Sequence, residues 1–208
     1  MAAHNFDPTV LREYDIRGIV GETLNSTDAA ALGKAFGTLV RRAGGKSVAV
    51  AYDGRFSSPD LERELVSGLR ETGIDAVRIG LGPTPMLYFS VYHLDTDGGI
   101  MITGSHNPPD YNGFKMMVGK QPFFGEDIQE LGRLAASGAF ETGEGGESEA
   151  DIKAAYVERI LEGFKGEAIN AVWDPGNGAA CDVLADLVAR LPGRHKIIYG
   201  DVDGSFPN

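Results

Sequence analysis

Apolar residues recur along this chain in two alternating patterns. From Asp28 to Arg41, Leu32, Phe36, Leu39 and Val40 fall at helical spacing, with Thr27 as the expected N-cap and Gly44-Gly45 as the stop. Val48-Ala49-Val50-Ala51-Tyr52 is a nearly continuous apolar run, as expected for a strand covered on both faces. Ser58 is read as the cap of a second helix, with Pro59 at its first position and Leu61, Leu65 and Leu69 on its buried stripe. Ala76–Ile79 reads as the next strand, Met86–His93 as a helix opened by Thr84-Pro85, Ile100–Thr103 and Phe114–Val118 as strands, and Glu126–Ala136 as a helix. This order predicts a layered α/β domain with a mixed, largely parallel sheet between helices.

Residues 137–150 (SGAFETGEGGESEA) change character, being acidic and glycine-rich. The expected division is a first domain over 1–140, an acidic Gly-rich linker over 141–150, and an incomplete second α/β domain over 151–208. In that last part Ile152, Tyr156 and Ile160 mark a helix, Ala171–Trp173 a strand and Asp174–Gly178 a turn. Val183, Leu184, Leu187 and Val188 mark a further helix, and Lys196–Tyr199 a strand. Roughly sixty residues are marginal for an independent core, so this second domain is expected to be cut short.

Composition narrows the function classes. The net charge is −11, which argues against nucleic acid or an anionic membrane as partner. Any phosphate site must therefore be a local cluster of cations and backbone N–H groups. One cysteine, Cys181, excludes an internal disulfide framework. No signal peptide is apparent, and the uncharged stretch from Ile79 to Leu94 is broken by Pro83 and Pro85, so a cytoplasmic protein is expected. Gly45-Lys46-Ser47 fails the P-loop spacing, because Val40 occupies its first glycine position. Gly176-Asn177-Gly178 has Cys181 where a dinucleotide fingerprint needs its third glycine.

The chemistry concentrates between Gly99 and Val118. Thr103-Gly104-Ser105-His106-Asn107-Pro108-Pro109 follows a strand and cannot continue as helix or ladder. Thr103 and Asn107 occupy the glycine positions of G-x-S-x-G, and His106 is adjacent to Ser105, where it is poorly placed as that residue's own base. A serine that carries a phosphoryl group avoids the difficulty but needs cations around it. Lys115 lies on a strand opposite Phe114 and Met116, at an exposed edge or aimed into a site, and the Asn112-Gly113 turn favours the site. Arg17 is the second candidate cation. Arg55 is a third, although a structural role for Asp53-Gly54-Arg55 is the favoured reading.

The Thr103–Pro108 loop with Asn112-Gly113-Phe114-Lys115 resembles the phosphoserine loop of the α-D-phosphohexomutases, phosphomannomutase/phosphoglucomutase type. Tyr14-Asp15-Ile16-Arg17-Gly18, Asp53-Gly54-Arg55, Pro83-Thr84-Pro85, Asp174–Gly178 and Asp203-Gly204-Ser205-Phe206-Pro207 follow that family's order. The resemblance implies interconversion of hexose 1- and 6-phosphates of mannose or glucose through a hexose 1,6-bisphosphate intermediate. Ser105 would be the phosphoserine, its phosphate oxygen one ligand of Mg²⁺. Arg17, His106 and Lys115 would flank that phosphate, with Tyr14 and Asn107 lining the cleft. The family's D-G-D-x-D-R metal loop is not found in these residues, so the chain is expected to be an amino-terminal portion, inactive alone. Phosphoglucosamine mutase is an alternative, although its N-terminal motif reads closer to G-T-D-G-I-R-G. A non-catalytic sugar-phosphate-binding module and, more distantly, a hydrolase complete the set.

Overall fold

The computed structural model describes residues 2–208. Its elements are β1 (Ile16–Ile19), α1 (Ser26–Arg42), β2 (Ser47–Tyr52), α2 (Ser58–Glu71), β3 (Asp75–Leu81), α3 (Thr84–His93), β4 (Gly98–Ile102), β5 (Tyr111–Val118), β6 (Gln121–Phe123), α4 (Glu126–Ser137), β7 (Glu147–Glu149), α5 (Lys153–Glu162), β8 (Ile169–Trp173), α6 (Cys181–Val188) and β9 (Gly193–Ile197). The main sheet runs β1-β5-β4-β2-β3-β7, with β6 paired to β5. Strands β4, β2, β3 and β7 pair in parallel, whereas β5 is antiparallel to β1, β4 and β6. The expected mixed α/β sheet is therefore present.

The period of two sorts each strand between two cores. Val48, Val50, Ile100, Ile102, Phe114 and Met116 face the layer of α1, α2 and α4. Ala49, Ala51, Met101 and Met117 face α3, and that second core also takes in Ile152, Val157 and Val183. The segment after β7 is thus packed onto the α3 face of the first sheet. Helices α1 and α2 meet at glycines: a Cβ on Gly68 would lie 2.2 Å from the Ala30 carbonyl, and one on Gly33 2.3 Å from the Leu65 carbonyl.

Several local expectations need correction. Helix α1 is capped at Asn25, whose N–H donates to the Asp28 carboxylate at 2.6 Å, and Thr27 lies within the first turn. Helix α2 already includes Ser58, and Ser57 holds the cap position; the Ser58 hydroxyl is committed instead to Asp53, 2.7 Å away. Asn112-Gly113 is no turn. Both residues lie inside β5, where Ile16 O would stand 2.0 Å from any Cβ on Gly113 and the buried Asn112 amide donates to Ser57 and Ser58.

The stretch expected to be a linker follows a fixed course. Gly143 and Gly145 donate to the carbonyls of Glu71 and Arg70, and β7 extends the sheet beside β3. Arg78 pairs with fully buried Glu62 and also reaches Glu147, which Arg70 contacts as well. Arginines on α2 and β3 thus hold an acidic edge strand that its own apolar content could not secure.

At the amino end of β2, Asp97 accepts the N–H groups of Lys46 (2.7 Å) and Ser47 (3.1 Å). The Lys46 N–H bond, followed by those from Ser47, pulls the Asp97 carboxyl below its ordinary value. A depressed folded value contributes stability that is present above the unfolded value of about 3.9 and is lost as pH falls through the folded one. The melting-temperature gap between wild type and Asp97→Asn should therefore be full at neutral pH and shrink below about pH 4. A gap that stays constant under acid would contradict this.

Candidate active site

Strand β4 delivers the serine loop to the carboxyl end of the sheet, where open α/β sheets place ligands. Thr103, Gly104, Ser105 and His106 leave β4 beside Asp53-Gly54, which leaves β2. Ser105 is exposed and holds φ 53°, a left-handed conformation that side chains other than Gly, Asn and Asp seldom adopt and that costs on the order of 1–3 kcal/mol. Its N–H is held by the Thr103 hydroxyl at 2.8 Å.

The strain is sustained from below by Arg55, which is 2% exposed. One guanidinium nitrogen donates to the carbonyls of Pro108 and Tyr111 (2.9 Å to the latter); the other donates to those of Ser105 (3.2 Å) and Asn107 (2.7 Å). Asp53 balances the charge, bonding Arg55 Nε at 3.2 Å while also accepting the Gly104 N–H at 3.0 Å. Burial, the largest effect, draws the Arg55 guanidinium below its ordinary value, against the opposing pull of Asp53. It stays charged at any physiological pH. Gly104 is required here, because a Cβ would sit 2.1 Å from Arg55 Cζ. The structural role favoured for Arg55 is the one found, and its target is the serine loop itself.

A second cluster lies across β1 and β5. Arg17 pairs with Gly113 in the strand register, and Gly113 O accepts the Thr103 N–H at 3.0 Å, so Arg17 and the base of the serine loop share one line across the sheet. Arg17 is 2% exposed. Its Nη2 donates to Asp15 Oδ2 at 2.6 Å, and its buried Nη1 has no hydrogen-bond partner. Lys115 Nζ donates to the same Asp15 oxygen at 2.7 Å. One carboxylate therefore gathers both candidate cations and leaves a buried donor open.

Of the residues named from the sequence, Ser105 and His106 open into a cleft of about 260 Å³ also lined by Asp53, Thr84, Gly178 and Phe206. Asn107 contributes its backbone, accepting from Arg55 and donating to the Gly104 carbonyl at 3.0 Å. Tyr14 is 74% exposed, with its ring 6.5 Å from that of Phe124, and is not among the residues lining this cleft. The sequence assigns no role to Asp15, and to Asp53 only the structural one given to Asp53-Gly54-Arg55. Asp15 lies in the bend just before β1 and Arg17 within it; their two-residue spacing is the one local signal that could have paired them.

The carboxylates nearest Ser105 do not fit the Mg²⁺ that the resemblance implies. Asp53 is occupied by Arg55, Ser58 and Gly104, and Asp15 by Arg17 and Lys115. Among the described residues no group of three or more His, Cys, Asp or Glu side chains could hold a metal ion. These residues do not by themselves form its site.

Comparison with known proteins agrees with the geometry. Residues 8–141 match the family model described as phosphoglucomutase/phosphomannomutase, alpha/beta/alpha domain I. The chain is 38% identical over 201 residues to a phosphomannomutase/phosphoglucomutase of Pseudomonas aeruginosa, covering 96% of this chain and 43% of that protein. It is 40% identical over 202 residues to a phosphoglucomutase of Neisseria gonorrhoeae, covering 96% and 44%. The crystal structure of a phosphoglucomutase/phosphomannomutase family protein from Burkholderia thailandensis superposes with a TM-score of 0.92 at 40% identity, over 98% of this chain and 46% of that one. The chain thus spans less than half the length of the relatives it matches. With a matched α/β/α domain carrying a clamped serine loop and its attendant cations, this chain belongs to the phosphoglucomutase/phosphomannomutase family.

Proposed function

We propose that this chain supplies the phosphoserine half of a phosphohexomutase that interconverts the 1- and 6-phosphates of mannose or glucose. The observation that carries the reading is a strained, exposed Ser105 on a loop clamped by Arg55, beside a cation pair whose buried Arg17 Nη1 is unpartnered. A phosphate on Ser105 brings about −1.5 to −2 charges, and Arg17 and Lys115 less Asp15 leave one net positive charge to receive it. Arg17 Nη1 is the unpartnered donor proposed to engage a phosphate oxygen while Nη2 keeps Asp15.

In the proposed reaction a sugar hydroxyl oxygen attacks phosphorus and the bond from phosphorus to Ser105 Oγ breaks. The bond electrons stay on Oγ; His106 takes the hydroxyl proton and Oγ gains one in return, so the products are the serine hydroxyl and the hexose 1,6-bisphosphate. The bisphosphate then turns over, returns its other phosphoryl group to Ser105 Oγ and leaves as the isomer. Asn107 and Tyr14 are assigned to sugar binding, Tyr14 from its exposed position outside the residues that line the cleft. Mg²⁺ belongs to the proposal as a neutralising cofactor with the Ser105 phosphate as one ligand, its carboxylate ligands coming from outside these residues. Partners are small sugar phosphates and not nucleic acid. No helix among the described residues is long and apolar enough to cross a membrane. The cytoplasm is the proposed location.

The whole protein should convert mannose or glucose 1-phosphate to the 6-phosphate when supplied with Mg²⁺ and a trace of the 1,6-bisphosphate. Residues 1–208 alone should not. Conversion of neither sugar by the whole protein would refute the reading.

A further inference from the structure

We infer that Phe206 is a positioning residue for Ser105, acting through Arg55, so that the segment after β9 forms the upper jaw of the clamp on the serine loop. The inference rests on the reading of Ser105 as the phosphoryl carrier. Arg55 holds the loop carbonyls of Ser105, Asn107 and Pro108 and that of Tyr111 at the start of β5, and it is covered by the Phe206 ring, whose centroid lies 5.1 Å from Arg55 Cζ. A guanidinium between carbonyl oxygens and an aromatic face is kept from water, which strengthens every bond it makes.

The covering ring is held by a built turn. Phe206 is itself left-handed, with φ 49°, and its N–H bonds the Asp203 carbonyl at 3.0 Å. The Asp203 carboxylate accepts the Ser205 N–H at 2.9 Å and the Ser205 hydroxyl at 2.7 Å. Asn177 fastens this turn to the one after β8, accepting the Asp203 N–H through its carbonyl at 3.0 Å and donating its side-chain amide to Asp201 O at 2.8 Å. The turn is seated on the β2–α2 connection without space to spare. A Cβ on Gly204 would lie 2.7 Å from Gly54 O, and one on Gly54 would lie 2.5 Å from a Val202 methyl. Phe206 also lines the cleft into which Ser105 opens. Strain at Ser105 and strain at Phe206 thus face each other through one guanidinium.

The test compares wild type with Phe206→Leu, which keeps apolar bulk and removes the aromatic face, and Phe206→Tyr, which restores the face. In the 208-residue chain, amide exchange at Gly104 and Asn107 should rise on the order of tenfold in Phe206→Leu, while β2 and β4 amides are unchanged. Phe206→Tyr should return both amides to the wild-type rate. The Arg55 Nε–H resonance should lose its ring-current shift in the leucine variant alone. In the whole protein, Phe206→Leu should lower kcat several-fold at nearly constant KM. Unchanged exchange at Gly104 and Asn107, or an equal rise throughout the sheet, overturns the inference, as does a tyrosine variant that behaves like leucine. Gly204→Ala, which unseats the turn, should reproduce the leucine result. Exchange requires no phosphoryl transfer, so a whole protein without turnover would defeat the functional reading while the exchange data still decide this one.

Discussion

Replacing Ser105 with alanine should abolish mutase turnover in the whole protein, lowering kcat by roughly four to six orders of magnitude. The substitution removes only the oxygen that is proposed to carry the phosphoryl group. The N–H held by Thr103 and the carbonyl held by Arg55 both belong to the backbone and persist. Ser105 is exposed, so stability should change by less than about 0.5 kcal/mol. The pairing of a complete kinetic defect with an unchanged melting curve separates loss of a nucleophile from loss of the loop. Turnover within about tenfold of wild type would mean that another group carries the phosphoryl.

The largest expected loss of stability is at Arg55. Arg55→Leu strands the buried Asp53 carboxylate and leaves the carbonyls of Ser105, Asn107, Pro108 and Tyr111 without their donor. Removing one partner of a buried pair costs about 3–5 kcal/mol, because the remaining charge is uncompensated. Urea unfolding would read this as a fall in midpoint at constant slope. Arg55→Lys should recover little, since a compact ammonium cannot span four carbonyls. The double variant Arg55→Leu with Asp53→Leu should recover part of the loss, as expected when the uncompensated charge is the main cause. A single-variant cost below about 1 kcal/mol would contradict the clamp.

What the sequence made legible follows from how local each cause is. Helices α1 and α2 and the doubly covered β2 were readable because their patterns arise from residues three, four or two apart. Strand β7 was not, since Glu147-Ser148-Glu149 carries no apolar residue and forms through arginines far away in the chain. Asn112-Gly113 misled because the dipeptide is a strong turn signal, whereas here the glycine answers the close approach of Ile16 O across β1 and β5. The serine loop was visible from its glycine and prolines. Its supports were not: Lys115 and Asp15 are 100 residues apart and Arg55 lies 50 residues or more from every carbonyl it holds, so tertiary register alone brings them together. The seating of Phe206 on Arg55 crosses from one sheet to the other, which no window of sequence displays.

The central claim is that Ser105 is a phosphoryl carrier, and mass measurement reaches it most directly. The whole protein, incubated with hexose 1,6-bisphosphate and Mg²⁺ and then desalted, should gain the mass of one phosphoryl group, mapping to the peptide that contains Ser105. The Ser105→Ala variant should gain none. An unmodified wild-type mass, or a phosphate mapped to any residue other than Ser105, would contradict the account.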